Sequence, residues 1–297
     1  VAIISFRLAG MDHMGDTAQG VYEHVHPYLQ GNVVLFCMEF DFTKPSKSAS
    51  VPTFCSMLSP WPCSITRFLV FLTSHSDPVT GDIHVQPENR GASTFLNVLA
   101  VLIPKPLQTI LRRGGCASSN ILVILACGSA VTAANAKSQV QEFAKQDLFQ
   151  EIVSFKQQRL QYTYTHSFLN DAALSFYVYG RTPFARAVLP GHNTLGGHTA
   201  VISFTSSHTY QYLWSHPTIR PFGIHVSKQC RACHRVPGFS KCRIDPESHK
   251  APQFHKALYR VCNGCGDKQL HTCPKDGEWL GPNPAANSAG DWLRVPY

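Results

Sequence analysis

Two reactive side chains, His75 and Cys127, each follow directly on an apolar run of the chain. The run FLVFLT (68–73) continues into SHSDP, and the run NILVILA (120–126) continues into CGS. Apolar runs of this length that stop at small and turn-forming residues are typical of buried strands. A histidine and a cysteine brought together can act as proton carrier and nucleophile. The pattern therefore predicts two strands that each deliver one reactive side chain at the carboxyl end.

Cysteine pairs near the C-terminus have the spacing of metal ligands. Two residues separate Cys230 from Cys233, and two separate Cys262 from Cys265. A two-residue spacer lets both sulfurs of one turn reach the same tetrahedral ion, at about 2.3 Å each. We expect these four cysteines to hold one structural Zn²⁺ in a zinc ribbon, because so short a polar segment needs metal to fold. Free thiols or two disulfides are the alternative.

The segment that contains these pairs carries other functional side chains. Five residues in it are further candidate ligands: Cys242, His249, His255, His271 and Cys273. They either replace one sulfur or form a second site. Its basic residues include Lys228, Arg231, Arg235, Lys241 and Arg243. These charges make nucleic acid a second class of partner, although no aromatic residues interleave with them for base stacking.

Composition favours an intracellular protein with a sizeable core. The 297 residues are 44% hydrophobic and 15% charged, with a net charge of +8 that favours acidic partners. No apolar run approaches the ~20 residues of a membrane span, and the first ten residues lack the basic region of a signal peptide. The five cysteines before residue 230 are scattered, which is typical of reduced thiols. We expect a cytoplasmic or nuclear location.

Apolar strands alternate with helical patterns over the first 206 residues. We predict strands at 1–6, 32–40, 68–73, 121–126, 151–155 and 199–206. We predict helices at 16–30 and 133–150, a helix over 93–115 that Pro104 and Pro106 interrupt, and a helix, turn and helix over 167–189. The segment 44–66, rich in Pro and Ser, is expected to be a loop. This alternation indicates a mostly parallel sheet, in which functional groups collect beyond the carboxyl ends of the strands.

The residues around His75 and Cys127 resemble those of a known family. The segment LACGS (125–129) is similar to the caspase cysteine motif Q-A-C-[RQG]-G, and it follows the histidine by about 50 residues, as in caspases. NILVILACGS (120–129) also resembles the cysteine strand of CHAT domains and separases, and SFLNDAALSFYVYGRTPFARAVL (167–189) resembles the late helix of CHAT domains. Over residues 30–205 the chain thus resembles the caspase-like (clan CD) CHAT-domain family.

The resemblance implies a caspase-like three-layer sandwich and a cysteine peptidase that cleaves a peptide or protein substrate. Cys127 would be the nucleophile and His75 the proton carrier, with the N–H groups of Cys127 and Ser76 facing the oxyanion. Asp77 or Asp82 would orient the histidine or bind substrate. The family has glycine where this chain has Ser76. The alternative is therefore a catalytically inactive caspase-like protein that acts as a zinc-dependent protein- or nucleic-acid-binding module.

These observations predict three segments. Residues 1–226 form a caspase/CHAT-like α/β domain, residues 227–275 a zinc-ribbon-like module, and residues 276–297 a loose tail. No membrane segment is expected. The sequence leaves the substrate and the oligomeric state open.

Overall fold

The computed structural model describes residues 1–11, 16–44, 56, 66–112, 119–216, 219–236, 238–240, 242–246, 257–281 and 290–297. The chain forms two units, one made of Val1–Val188 with Val201–Thr209 and the other of Leu189–Ala200 with Tyr210–Tyr297. The predicted boundary at 226/227 therefore falls inside the second unit. No helix of the described residues is long and apolar enough to cross a membrane.

The first unit is built on a mostly parallel sheet. In chain order, strands β1 to β8 are Ala2–Leu8, Val34–Phe40, Phe68–Thr73, Ile83–Gln86, Arg90–Ser93, Ile121–Leu125, Glu151–Phe155 and Val201–Phe204. Six of them form the sheet in the order β2-β1-β3-β6-β7-β8. All of these pairings are parallel except the antiparallel pairing of β7 with β8. The remaining two, β4 and β5, form a hairpin. The structure confirms the predicted mixed α/β class.

Helices connect the parallel strands. Helices α1 to α6 of this unit are Thr17–Leu29, Phe95–Leu102, Lys105–Leu111, Ser129–Thr132, Ala134–Ala144 and Thr163–Ala173. The predicted break in the helical segment 93–115 is confirmed, since α3 begins one residue after Pro104. Helix α1 packs against α6, and α2 packs against α5. Parallel crossovers are right-handed, so β1-α1-β2 and β6-α5-β7, which run in opposite directions along the sheet, place their helices on opposite faces.

One buried asparagine fixes the start of the two central strands. Asn120 accepts a hydrogen bond from the Phe68 N–H at 3.1 Å through Oδ1, and its Nδ2 donates to the carbonyl oxygens of Leu111 and Leu148. The side chains from Phe68 to Leu72 and from Ile121 to Leu125 are at most 1% exposed. Because both strands start from the same anchor and have similar lengths, they also end together.

The described strands of the second unit pair with one another in antiparallel fashion. Strands β9 to β14 are Thr209–Ser215, Arg243–Ile244, Leu258–Val261, Lys268–His271, Glu278–Trp279 and Asp291–Pro296, and helix α7 is Asn193–His198. Strand β14 pairs with β9 and with β13, and β11 pairs with β10 and β12. The prediction of a loose tail over 276–297 is wrong for residues 291–296, because apolar side chains such as Trp292 and Leu293 bury this strand.

Two other predictions meet the structure only in part. In the segment 167–189, α6 begins earlier, at Thr163, and residues 182–188 form turns in place of the second helix. There the Phe184 N–H donates to the buried carboxylate of Glu151 at 2.8 Å. Most of the loop predicted at 44–66 lies outside the described residues.

Candidate active site and candidate metal centre

His75 and Cys127 lie at the same end of adjacent parallel strands. The ladder between β3 and β6 pairs Thr73 with Leu125, and the next N–H, that of Ser74, donates to the Leu125 carbonyl at 3.1 Å. His75 and Cys127 each follow this pair by two residues. Both side chains line one cleft of about 510 Å³. The structure thus places the two predicted reactive residues on a common surface.

A pair of serine hydroxyls joins the two loops that carry them. The Ser76 hydroxyl donates to the carbonyl oxygen of Cys127 at 3.0 Å and lies 2.7 Å from the Ser129 hydroxyl. Ser76 is 6% exposed and Ser129 is 5% exposed. The side chain that distinguishes this chain from the family pattern is therefore part of the connection between the loops. Ser129 was not predicted from the sequence.

Gly128 allows the backbone after the cysteine to approach the next strand closely. Its N–H donates to the Gln157 carbonyl at 2.8 Å. A Cβ atom at this position would lie 2.0 Å from the Lys156 carbonyl oxygen, a separation that no side chain can adopt. Glycine after Cys127 is thus required by the close packing of the loop on the end of β7.

Two backbone N–H groups at the site have no acceptor in the part of the chain that the structure describes. Ser76 forms an isolated antiparallel bridge with Ile83, and the hydrogen bonds on either side of this bridge do not use the Ser76 N–H. Among the described residues, neither the Ser76 N–H nor the Cys127 N–H donates a hydrogen bond. The backbone of Ser76 lies outside the left-handed region, so its Cβ causes no strain there.

Burial governs the titration of the cleft. Burial, and then the neighbouring His84, lower the pKa of His75 below its ordinary value of 6.5. Burial, and then the charge of Cys127, raise the pKa of Tyr162 far above its ordinary value. The Tyr162 hydroxyl donates to the Ser74 carbonyl at 3.4 Å. The histidine is therefore mostly neutral at pH 7 and able to accept a proton, and the tyrosine keeps its proton.

The acidic residues near the histidine have separate surroundings. Oδ1 of Asp77 accepts hydrogen bonds from the Val79 N–H at 2.9 Å and from the Thr80 N–H at 2.7 Å. These bonds, with that of Thr80 the strongest, lower the pKa of the Asp77 carboxyl. Asp77 lines the cleft but caps its own turn. Oδ1 of Asp82 is buried and has no hydrogen-bond partner among the described residues.

The four predicted metal ligands of the second unit converge. The sulfurs of Cys230, Cys233, Cys262 and Cys265 all lie within 4.8 Å of one another. The separations are 3.8 Å between Cys230 and Cys265 and 3.5 Å between Cys233 and Cys262. Sulfurs on one tetrahedral ion at ~2.3 Å are about 3.8 Å apart. The cluster therefore has metal-binding dimensions.

Both cysteine pairs sit on turns with the same backbone hydrogen bonds. In the first turn the Cys230 N–H donates to the Arg235 carbonyl at 3.1 Å, and the His234 N–H donates to the Cys230 carbonyl at 3.0 Å. In the second turn Cys262, Asp267 and Gly266 repeat these bonds at 2.9 and 3.0 Å. His234 and Gly266 both have positive φ. The second turn connects β11 to β12.

Backbone N–H groups point at the sulfurs. The Gly264 N–H lies 3.3 Å from the Cys262 sulfur. Hydrogen bonds from the N–H groups of Cys265 and Gly264 lower the pKa of the Cys262 thiol to about 6. The Asp267 N–H favours the Cys265 thiolate, but burial and the other three sulfurs outweigh it and raise the pKa of Cys265 to about 12. A cation among the sulfurs would favour full ionisation of the cluster.

The other candidate ligands do not join this cluster where they are described. Cys242 and Cys273 pack against a buried apolar group formed by Phe222, Leu258, Leu293 and Val295. Burial raises the pKa of the Cys273 thiol to about 11. Nε2 of His271 is buried, and no described residue bonds it. His249 and His255 lie outside the described residues.

Comparison of the chain with protein-family models and with curated proteins finds no match. The residues quoted above and the geometry of the two sites are thus the grounds for a functional proposal.

Proposed function

We propose that the first unit is a cysteine peptidase of caspase/CHAT type that uses His75 and Cys127, and that the second unit holds a structural Zn²⁺ on four cysteines. The observation that carries the first part is the position of His75 and Cys127, which follow paired residues of adjacent strands and line one cleft. The parallel order of β3 and β6 agrees with the caspase-like fold that the resemblance implies.

The reaction follows from the arrangement of the dyad. His75, neutral at pH 7, takes the proton of the Cys127 thiol, and the thiolate attacks the carbonyl carbon of the scissile bond. The C–N bond breaks as the imidazolium returns its proton to the leaving amine, which leaves a thioester on Cys127. His75 then takes a proton from water, the hydroxide attacks the thioester, and the C–S bond breaks. The products are a carboxylic acid and the original thiol.

The N–H groups of Ser76 and Cys127 supply the stabilisation of the oxyanion. Neither donates to another described residue, so both are available for the oxygen that gains charge in the transition state. One such donor contributes a factor of about 10²–10³ in rate. Serine retains the N–H that glycine provides in the family, and its hydroxyl is turned towards Ser129.

A second candidate is a caspase-like protein without catalysis, in which the zinc-bearing unit binds protein or nucleic acid. What favours it is the state of the acidic residues, because Asp77 caps its own turn and no described carboxylate hydrogen-bonds His75. A dyad without such a partner leaves the imidazole less well oriented.

The tetrahedral separations of the four sulfurs support zinc at the second site. Thiolates at these distances and backbone N–H donors to sulfur suit a closed structural site, with no position open for a substrate. When bound, zinc would hold the two turns together and thereby order β10, β11 and β12.

Chemical labelling of cysteines tests the peptidase proposal. The full chain is treated with substoichiometric iodoacetamide, and the alkylation rates of Cys127 and of the exposed Cys37 are measured by peptide mass spectrometry. We expect Cys127 to react faster, His75→Ala to slow it about tenfold, and Cys127→Ala to abolish any cleavage of a casein substrate. His84→Ala is the matched control, because it removes a histidine that lines the same cleft.

Equal rates for Cys127 and Cys37, with no effect of His75→Ala, would contradict the peptidase proposal and favour the non-catalytic candidate. In that case the thiol acts only as a small side chain at the end of β6.

A further inference from the structure

Two clefts of the second unit adjoin each other beside the segment 224–228. One has a volume of about 610 Å³ and is lined by Ile224, Arg231 and Leu270 among others. The second has a volume of about 470 Å³ and is lined by Ile219, Arg220 and Lys228 among others. His225, Val226 and Arg260 line both. Together they form an elongated surface, called here the paired cleft.

The paired cleft is positively charged. Arg220, Lys228 and Arg260 line the smaller cleft, and none of its lining residues is acidic. The larger cleft adds Arg231 and one carboxylate, that of Asp267. A concave surface with this balance of charge attracts anions.

Two of these arginines are held in place by hydrogen bonds. Nη1 of Arg220 donates to the Gly196 carbonyl at 2.6 Å, whereas its buried Nε has no partner among the described residues. Arg260 is 5% exposed. Its Nε and Nη2 donate to Oε1 of Gln269 at 3.2 and 2.7 Å, and its guanidinium carbon lies 3.8 Å from the centre of the Phe239 ring. A ligand carboxylate in the smaller cleft can pair with the Arg220 guanidinium, which lines it.

Exposed aliphatic side chains lie along the same surface. Ile219 is 58% exposed, Ile224 is 46% exposed and Leu270 is 52% exposed. In the described part of the second unit, the exposed large apolar side chains are all aliphatic. Nucleobases stack on exposed aromatic faces, but the two aromatic residues that line the smaller cleft are buried (Trp214) or half-buried (Phe239). Exposed aliphatic side chains beside cations suit a peptide that alternates apolar and acidic side chains.

We infer that the paired cleft binds an acidic peptide segment with aliphatic side chains, with a carboxylate of the peptide at Arg220 and apolar side chains against Ile219 and Ile224. This inference does not depend on the proposed peptidase activity. It assigns to the zinc-bearing unit a binding surface outside the four cysteines.

Fluorescence anisotropy tests the inference on the zinc-loaded full chain carrying Cys127→Ala, so that cleavage cannot remove the probe. The probe is a fluorescein-labelled, amide-capped peptide of alternating glutamate and leucine. The comparison probes are the same peptide with serine for leucine, the same peptide with lysine for glutamate, and a single-stranded oligothymidine. We expect saturable binding of the glutamate–leucine peptide and at least tenfold weaker binding of the other three.

Surface substitutions with matched controls locate the binding. Lys228→Glu and Ile219→Ser should each weaken binding about five- to tenfold, through lost attraction and lost apolar contact respectively. Lys275→Glu and Ile244→Ser make the same changes at exposed positions outside the paired cleft, and should leave binding within twofold. Zinc content and circular dichroism should be unchanged in all four variants.

Three results would overturn the inference. One is the absence of saturable binding. Another is equal binding of the glutamate–serine peptide, which would mean that charge alone accounts for the binding and that the aliphatic side chains contribute nothing. Tighter binding of oligothymidine would instead assign the surface to nucleic acid. Since labelling of Cys127 is not measured here, failure of this test leaves the peptidase proposal unaffected, and the reverse also holds.

Discussion

The strands that precede His75 and Cys127 are buried except for the half-buried Thr73, whereas the strands beside the four cysteines are short and partly exposed. All five residues of β6 are buried, while in β12 two of four are exposed. The first site is thus positioned by apolar packing between segments far apart in the chain. The second is positioned by two local turns with the same hydrogen bonds, and we propose that a metal ion joins them. The molecule therefore positions cysteine sulfurs in two ways, which different perturbations should separate.

The largest expected effect is loss of metal from the second site. Cys262→Ser should release zinc and unfold the strands around it, because a structural zinc site contributes about 10–16 kcal/mol of apparent binding free energy at pH 7. We expect amides of 258–271 to lose protection in hydrogen exchange, and amides of β6 to keep it. Metal content is measured in parallel.

Cys242→Ser is the matched control, because Cys242 is half-buried in the same unit but lies outside the cluster. It should retain one zinc per chain. If the amides of β6 lost protection from hydrogen exchange as fully as those of β11 in Cys262→Ser, the two sites would not be held independently, which would contradict this prediction.

The next effect tests the packed loop after Cys127. Gly128→Ala would place a Cβ 2.0 Å from the Lys156 carbonyl oxygen, so the loop must move. We expect a loss of roughly 3 kcal/mol in the free energy of unfolding, as for other overpacked sites. Urea denaturation followed by circular dichroism measures it.

Gly20→Ala provides the comparison. Gly20 lies inside α1, and a Cβ there meets nothing within 4 Å. This change should stabilise the protein by about 0.5–1 kcal/mol, because alanine restricts the unfolded chain. A tolerated Gly128→Ala would mean that the position of Cys127 does not depend on this close approach.

The sequence predicted the parts of each site that depend on local pattern. The apolar run 68–73 is β3 with the predicted bounds, and the two-residue spacing of the cysteine pairs predicted a cluster that the structure contains. Both patterns are local in the sequence, and each is compatible with few other backbone conformations. The sequence predicted that the strands around 68–73 and 121–126 are adjacent and parallel, as β3 and β6 are. The order of the other strands was not predicted, because it depends on contacts between distant segments.

Three features had weak or missing signals in the sequence. The strand at 291–296 was not predicted, since DWLRVP is flanked by residues typical of loops and its partner β9 is remote. The pairing of Ser76 with Ser129 is invisible without the register of β3 and β6. Gly266 directly after Cys265 was a usable signal for the second turn, because its positive φ of 76° favours glycine.

A smaller effect concerns the pH at which His75 assists Cys127. Burial first, and His84 second, lower the pKa of His75, so the neutral imidazole persists below pH 6.5. Its help as a base is present above its own pKa and is lost as the pH falls through that value. The ratio of Cys127 alkylation rates between wild type and His75→Ala should therefore stay near tenfold at pH 6.5 and approach one only at lower pH.

His84→Ala sharpens this prediction. Removing His84 should raise the pKa of His75, and with it the pH at which the ratio of alkylation rates has fallen halfway to one. Burial should still keep that pH below 6.5. A midpoint above 6.5 in wild type would mean that His75 is stabilised as imidazolium, which points to an ion pair with Cys127.

The smallest effect is expected at Ser76, where the chain departs from the family pattern. Ser76→Ala removes hydrogen bonds to the Cys127 carbonyl and to Ser129, and should lower the free energy of unfolding by roughly 1–2 kcal/mol. Ser76→Gly should cost about 0.5–1 kcal/mol more, because φ at Ser76 is not left-handed and glycine adds only freedom to the unfolded chain. Urea denaturation and the alkylation rate of Cys127 are measured for both variants.

These two variants separate the hydroxyl from the Cβ. Both keep the N–H that faces the oxyanion, so both should retain Cys127 reactivity within about threefold if that N–H is what the site needs from this position. If Ser76→Gly were more stable than Ser76→Ala, or produced cleavage of casein where the wild type has none, the Cβ would be the obstacle to catalysis. The first unit would then be an inactive relative of a peptidase, held together by packing alone, and only the metal-bearing unit would retain a role that depends on its sulfurs.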